Sequence, residues 1–424
     1  MSVSPEATLG RRTWNAPSDG AVAFTWVPTD SVELGPALDR ARAAQEAWAA
    51  LGTRRRGDIL GAAAVGIRRD DRLATVIAVH VGKPIAEARA EVERSARILE
   101  MASGLADRPV GELFEDSAGS PIRVLRVPRG VVACITPWNF PAAIPVWKLA
   151  PALLAGNAVL LKMIDLGVDA ISFTGSDRAG RAVIAAAGRQ AIPAQVEMGG
   201  KNAVIVGRDA DPALAVSIVL AGAMGYAGQK CTATSRVFVP RELEQQMLAA
   251  LKQQTTRIAA GDPLQEGLAV GPMISQEARD RVSGLLDGSR NGGVEVVASG
   301  HVLGDTGAYL APIVLAGGPP QDPIYRDELF APVLAVSLVD DLDEALAELR
   351  AMPQGLVCGV VSSDRPTVER VVREAPVGLI RINAPTTGLE PHVAFGGHGT
   401  SSFGPAEQGA EGLRFFSQLR TAYG

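Results

Sequence analysis

Three short segments carry residues able to act on a carbonyl carbon. GQKCTATS, Gly228 to Ser235, sets Cys231 among small polar residues behind a glycine, where a turn can expose it. VEMGGKN, Val196 to Asn202, places Glu197 between Val196 and Met198, ahead of a double glycine. A carboxyl at such a strand end points into a cleft with little water. Desolvation then raises its pKa towards the range of a general base. TPWNFP, Thr136 to Pro141, holds Asn139 between two prolines, after a strand and before a helix. An amide fixed this way can donate to an oxyanion. Each residue has a plainer reading: a small buried thiol, a salt-bridged structural glutamate and an ordinary helix N-cap. Together they make a nucleophile, a base and an oxyanion donor.

These residues need strand ends and turns to hold them, and the surrounding pattern supplies both. Residues 1–24 show little periodicity and read as a short arm. From Ser31 to about Ala106, apolar and small residues recur at three and four, as in helices. Residues 109–128 read as a hairpin. From Gly130 strand and helix alternate. The predicted strands are VVACIT, AVLLK, DAISFTG and AQVEMGG, with a helix at about Ala142 to Leu154 capped by Gly156 and Asn157. A second cycle begins at AVIVG and continues with a helix over Asp211 to Ala227, SRVFVP, a helix over Glu242 to Ile258, GVEVVAS, APVLAVSLV, LVCGVVSS and GLIRINA. This is the order of an α/β parallel sheet, twice over. The last segment, RFFSQLRTAY, alternates like an edge strand able to pair across a subunit interface.

Composition narrows the chemistry. The chain has 424 residues, 47% hydrophobic but only 4% aromatic, so its cores must be aliphatic. A net charge of −5 with interspersed signs offers no basic tract for nucleic acid. The most apolar stretch, Val131 to Ile164, is broken by Lys148 and several prolines, which is wrong for a membrane span. Three widely spaced cysteines, Cys134, Cys231 and Cys358, and four scattered histidines suggest neither a disulfide framework nor a metal site. The N-terminus lacks the apolar run of a signal peptide. The expectation is a cytoplasmic protein whose reducing surroundings keep a reactive thiol free.

In this order and context the three segments resemble the aldehyde dehydrogenase superfamily, where PWNFP, E(L/M)GGK and GQxC(T/S)A carry the active site. FTGS at Phe173 to Ser176, DELFAPV at Asp327 to Val333 and the FGG segment at Phe395 to Gly409 extend the likeness from about residue 30 to the end. The resemblance implies an α/β fold: a Rossmann-type cofactor domain over 1–108 and 129–198, a catalytic domain over 199–411 whose end returns to the first, and oligomerisation strands at 109–128 and 412–424. It implies that the Cys231 thiolate attacks an aldehyde. Asn139 and the Cys231 backbone N–H hold the oxyanion, and Glu197 activates water to release the acid from the thioester. Lys162, Gly175, Ser176, Glu328, Phe330 and Trp138 fall at positions for NAD or NADP. A homodimer or homotetramer is implied as well. NAPTTGLEPHVAFGG, SSFGPAEQG and EMGGKN look nearest to dehydrogenases of 2-oxoglutaric semialdehyde, also called 2,5-dioxopentanoate.

One departure concerns the cofactor half. After LLK, ending at Lys162, the chain runs through Met163 to Val168 straight into DAISFTG. By comparison with the family pattern, roughly forty residues, one αβ unit of the sheet, are absent. The expected consequences are a missing edge strand, one sheet face bare unless another segment or subunit covers it, and weak NAD(P) binding. Lys230, beside the nucleophile, either lowers the thiol pKa or faces solvent. Two rival readings follow: a catalytically impaired paralogue, and a cofactor-independent thiol esterase using Cys231 and Glu197.

Overall fold

A computed structural model describes residues 10–108, 111–161 and 167–424. Lys162 lies outside the described residues.

The N-terminal segment is more ordered than its sequence suggested. Strands β1 (Arg12–Asn15) and β2 (Val22–Trp26) pair antiparallel. Thr13, Trp14, Phe24 and Thr25 are good strand formers, and Gly20, at φ 76°, closes the turn. The helical region divides into α1 (Leu34–Ala50), α2 (Gly52–Arg69), α3 (Leu73–Val81) and α4 (Ile85–Gly104). Among the described residues, no helix is long and apolar enough to cross a membrane.

The hairpin forms as β3 (Gly111–Glu115) and β4 (Pro121–Pro128). Then come β5 (Val131–Ile135), α5 (Ala143–Ala155), β6 (Ala158–Leu161), β7 (Ala170–Thr174), α6 (Asp177–Gln190) and β8 (Ala194–Glu197). Gly156 caps α5 at φ 99°. The strand order is β8-β7-β5-β6, all parallel, with β6 at one edge. Alternation along β5 splits its side chains between two layers. Val131 and Ala133 pack with Val183 and Ala187 of α6. Val132 and Cys134 pack with Ala152 of α5 and the C-terminal Phe415 and Phe416.

The flank beside β6 is not bare. Leu38 and Ala41 of α1 pack on the same face as Ala158 and Leu160. Arg42 donates to the Gly167 carbonyl at 2.6 Å, and Trp48 Nε1–H to the Leu153 carbonyl at 2.7 Å. The chain re-enters the sheet through buried Val168 and through Asp169, which accepts the Val131 N–H at 2.7 Å.

The second cycle runs β9 (Ala203–Val206), α7 (Pro212–Met224), β10 (Arg236–Pro240), α8 (Glu244–Thr255), α9 (Gln276–Asn291), β11 (Val294–Ser299), β12 (Ile313–Gly317), β13 (Val333–Val339), α10 (Leu342–Arg350), β14 (Val357–Val361), α11 (Arg365–Glu374) and β15 (Leu379–Ile382). Its sheet has the order β11-β12-β13-β10-β9-β14-β15, parallel except for β11. Strands β9, β10 and β14 are buried at every position, which suits their mostly apolar sequences, and Arg236 at the start of β10 is paired with Glu348.

Two predicted elements end differently. The helix expected to reach Ala227 stops at Met224, because Tyr226 and Ala227 turn left-handed at φ 55° and 52°. The expected C-terminal strand begins late: Arg414 and Phe415 close helix α12 (Gly409–Phe415), and β17 starts at Ser417, three residues after Arg414. The short β16 (Ser402–Phe403) pairs antiparallel with β8, joining the chain's end to the first sheet. Strand β17 (Ser417–Tyr423) pairs with β4 of the same chain.

Candidate active site

The nucleophile turn is held in a shape its sequence would not choose alone. Tyr226, Ala227 and Gly228 are three successive left-handed residues. Such backbone costs of order 1–3 kcal/mol for each non-glycine residue, so the surroundings must enforce it. Tyr226 is fully buried, and its hydroxyl donates to the Val81 carbonyl at 3.2 Å. The Gln229 side chain donates to the Pro272 carbonyl and accepts the Ile274 N–H at 2.8 Å. At Gly228 a Cβ would sit 2.1 Å from the Ala331 carbonyl oxygen, so only glycine fits. Beyond the turn, Asn202 Nδ2 donates to the carbonyl oxygens of Cys231 and Ala233.

Cys231 lies where two cavities meet. One, of about 280 Å³, brings Cys231 together with Trp138, Asn139, Gly175, Ser176, Glu328 and Phe330. Every described cofactor-side residue expected from the sequence is therefore in one place. The other, of about 230 Å³, has apolar walls including Phe140, Ile144 and Phe395. Cys134 and Cys358 are fully buried inside sheets, out of reach of both cavities.

Asn139 is not an N-cap. Helix α5 is capped at Ala142 without a side-chain bond. The Asn139 amide instead donates one hydrogen to the Gln229 carbonyl at 2.8 Å, which leaves its second N–H for the cavity it lines. The capping work falls to Glu91 of α4, whose Oε1 accepts the N–H groups of Ala142 and Ala143. Its other oxygen pairs with buried Lys83, which also stacks over Phe140 and Tyr226. This pair locks the Asn139 loop to the nucleophile turn. Breaking such a buried pair from one side typically costs about 3–5 kcal/mol.

Glu197 makes no ion pair among the described residues. It is 1% exposed; Ser402 Oγ donates to its Oε2 at 2.5 Å, and its Oε1 has no partner. Burial, with the nearby negative Glu407, pushes its pKa well above the ordinary carboxyl range, against the Ser402 bond and the charge of Lys148. Lys148 and Glu407 form a buried ion pair with Ser172 alongside. Glu197 is near enough to Cys231 for its charge to act on the thiol, although it is not among the residues lining either cavity.

Electrostatics around Cys231 also differ from expectation. Lys230 is turned from solvent by Glu87, which holds it at 2.7 Å. Burial and the carboxylates Glu328, Glu197 and Glu407 push the thiol up to about 12, against its own backbone N–H.

On the cofactor side, Ser176 caps α6, and its hydroxyl accepts from the Ala179 N–H. The Gly175–Ser176 turn thus presents a helix N-terminus suited to a phosphate. Thr174 Oγ1, in the same cavity, is buried without a partner. Trp138 and Phe330 meet edge to face at 5.7 Å. Glu328 lies so close to Gly199 that a Cβ there would meet its carboxylate at 1.8 Å. Burial raises the Glu328 pKa to about 7.

Comparison with known proteins agrees with this geometry. The profile of the aldehyde dehydrogenase family matches residues 6–167 and 163–422, two segments that overlap over residues 163–167. The alpha-ketoglutaric semialdehyde dehydrogenase of Bacillus subtilis is 32% identical over 433 residues, covering 91% of this chain and 89% of the relative. The 2,5-dioxopentanoate dehydrogenase of Saccharolobus solfataricus is 30% identical, covering 92% and 91%. Among solved structures, a betaine aldehyde dehydrogenase from Staphylococcus aureus in complex with NAD+ superimposes with a TM-score of 0.93 at 26% identity, covering 100% of this chain and 93% of that one. With nearly all of its residues matched by the family profile, the chain belongs to the aldehyde dehydrogenase family.

Proposed function

We propose that this protein oxidises a short acidic aldehyde, of the 2-oxoglutaric semialdehyde type, to its carboxylic acid with NAD or NADP as acceptor. The observation that carries the reading is Cys231 at the junction of two cavities, one suited to a nicotinamide nucleotide and one to a small substrate. The names of the relatives supply the substrate class.

Cys231 gives its proton to solvent and adds to the aldehyde carbon as the thiolate, forming a thiohemiacetal oxyanion held by the Asn139 amide and the Cys231 N–H. A bound oxidised nicotinamide supplies the hydride acceptor. Gly175, Ser176, Thr174, Glu328 and Phe330 would hold the phosphate and nicotinamide-ribose end. Cys231 is left as a thioester. Glu197, ionised, takes a proton from the attacking water, and the acid leaves with the thiol restored.

The adenosine end has less to rest on. Strand β6 is the last of its sheet among the described residues, and its Leu161 is 52% exposed. NAD should therefore bind weakly. Calorimetric titration checks this, and a low-micromolar Kd would sink the idea. The reaction itself is tested by offering 2-oxoglutaric semialdehyde with NAD or NADP. NAD(P)H and 2-oxoglutarate should form together. Hydrolysis of p-nitrophenyl acetate without NAD(P)H formation would favour the thiol esterase, and silence in both assays the impaired paralogue.

The division into a cofactor domain (1–108, 129–198), a catalytic domain (199–411) and oligomerisation strands (109–128, 412–424) belongs to the same proposal. The sheet of β3, β4 and β17 exposes Phe114, Leu419 and Tyr423 on one face, an apolar surface that suits a second copy. Light scattering should give a dimer or tetramer, and Leu419→Lys should shift it towards monomer. A monomeric unaltered protein would contradict this.

A further inference from the structure

The substrate-side cavity carries a charge pattern that the reaction does not use. Glu87, Ala90, Glu91 and Arg94 line it from α4 at intervals of three and four, so one helix face forms a wall. Three of its four charged residues are already matched. Glu87 holds Lys230, and Glu91 holds Lys83. Arg94 has no ion pair and no hydrogen bond among the described residues, although it is half-buried. Glu390 is the acid whose charge acts most on it, but that carboxylate is paired with Arg97 at 3.7 Å. Desolvation lowers the Arg94 pKa, while Glu390 and Glu91 only partly offset this.

Arg94 sits two helical turns from Glu87, about 10 Å along the axis by helix geometry. Glu87 is next to the thiol through Lys230, so Arg94 marks the far end of the cavity. It also lines an outer pocket with Arg97 and Glu390, which makes that end the mouth. A second unmatched donor lies in the same wall. Trp147 is 8% exposed, and its indole Nε1–H has no partner. Phe140, Ile144 and Leu389 give the same cavity apolar lining, beside the neutral polar Thr232, Thr387 and Gln408.

An unmatched guanidinium, an unmatched N–H and apolar lining beside the thiol fit one kind of molecule. It has an aldehyde at one end, a few methylenes, and a carboxylate at the other. We infer that Arg94 is the specificity-determining residue that reads the distal carboxylate of the substrate, with the Trp147 indole N–H as a second donor. The planar guanidinium fork matches a carboxylate in two parallel bonds. A trimethylammonium aldehyde would instead bring a like charge to Arg94. The inference rests on the acidic-aldehyde reading above and adds the residue that would enforce it.

The test compares 2-oxoglutaric semialdehyde with pentanal in the full-length protein, alongside calorimetry with 2-oxoglutarate. Arg94→Gln should lower the acidic-to-neutral ratio of kcat/KM by about 10- to 100-fold, mainly through KM. Arg94→Lys should restore part of it. Binding of 2-oxoglutarate should weaken at least about tenfold in Arg94→Gln. If the unaltered protein prefers the acidic aldehyde and Arg94→Gln keeps that preference, the Arg94 assignment is wrong while the substrate reading stands. If the unaltered protein shows no preference but Arg94→Gln still loses 2-oxoglutarate binding, the substrate reading fails and the anion site survives. Unchanged binding and an unchanged ratio overturn the inference. Should Arg94→Gln melt early, the same comparisons are read on Arg94→Lys, where loss of the bidentate fork should still lower the ratio.

Discussion

Cys231→Ala should lose NAD(P)H formation and p-nitrophenyl acetate hydrolysis together, by about 10⁴-fold or more, because nothing else in the site can replace a covalent nucleophile. The control is Cys358→Ala, whose thiol is sealed within the seven-stranded sheet and should leave turnover intact. The thiol has a further signature. With its pKa pushed up to about 12, it is overwhelmingly protonated at neutral pH. Alkylation of Cys231 by iodoacetamide should therefore keep rising with pH, without a plateau below about pH 10. Residual ester hydrolysis in Cys231→Ala would reveal a different nucleophile.

Glu197→Gln should separate the two halves of the reaction. With the thiol proton passing to solvent and Glu197 acting only on the hydrolytic water, one equivalent of NAD(P)H per site should appear quickly. The following steady state should be slower by about 10²–10⁴-fold, the range for loss of a general base. Only ionised Glu197 can take a proton from water. Its raised pKa leaves it increasingly protonated as pH falls, so unaltered turnover should drop on the acid side. Glu197→Gln should lose that limb of the profile. A Glu197→Gln protein with neither burst nor turnover would place Glu197 in the first half instead, as the base that frees the thiol.

The parts of the site written on turns and strand ends were legible in the sequence. Asn139, Cys231, Gly175, Ser176 and Glu328 sit next to glycines, prolines or abrupt pattern changes, and they converge on one cavity. The support behind them was not. Glu91 looks like one more acidic residue in an amphipathic helix, yet it caps a helix 51 residues further on. Lys148 looks like an interruption in an apolar run, and its partner Glu407 is 259 residues away. Such pairings leave no local periodicity, because the partners meet only when the two sheets and the C-terminal segment assemble. The left-handed turn at Tyr226 and Ala227 was hidden for a related reason. Neither residue type prefers that backbone, and only tertiary packing imposes it. The hairpin at Arg12 to Trp26 was missed because its two runs of four and five residues are too short to stand out as alternation.

The β6 flank has a bearing on solubility. An edge strand offers unpaired N–H and C=O groups, and long flat edges recruit other chains into aggregates. Strand β6 is four residues long, and α1 lies across one face with Arg42 anchored to the returning link. A template this short gives a passing strand little purchase. If α1 were removed, for instance by truncation before Gly52, the sheet would keep its hydrogen bonds but lose its guard. The first fault in handling such a fragment would be precipitation rather than unfolding.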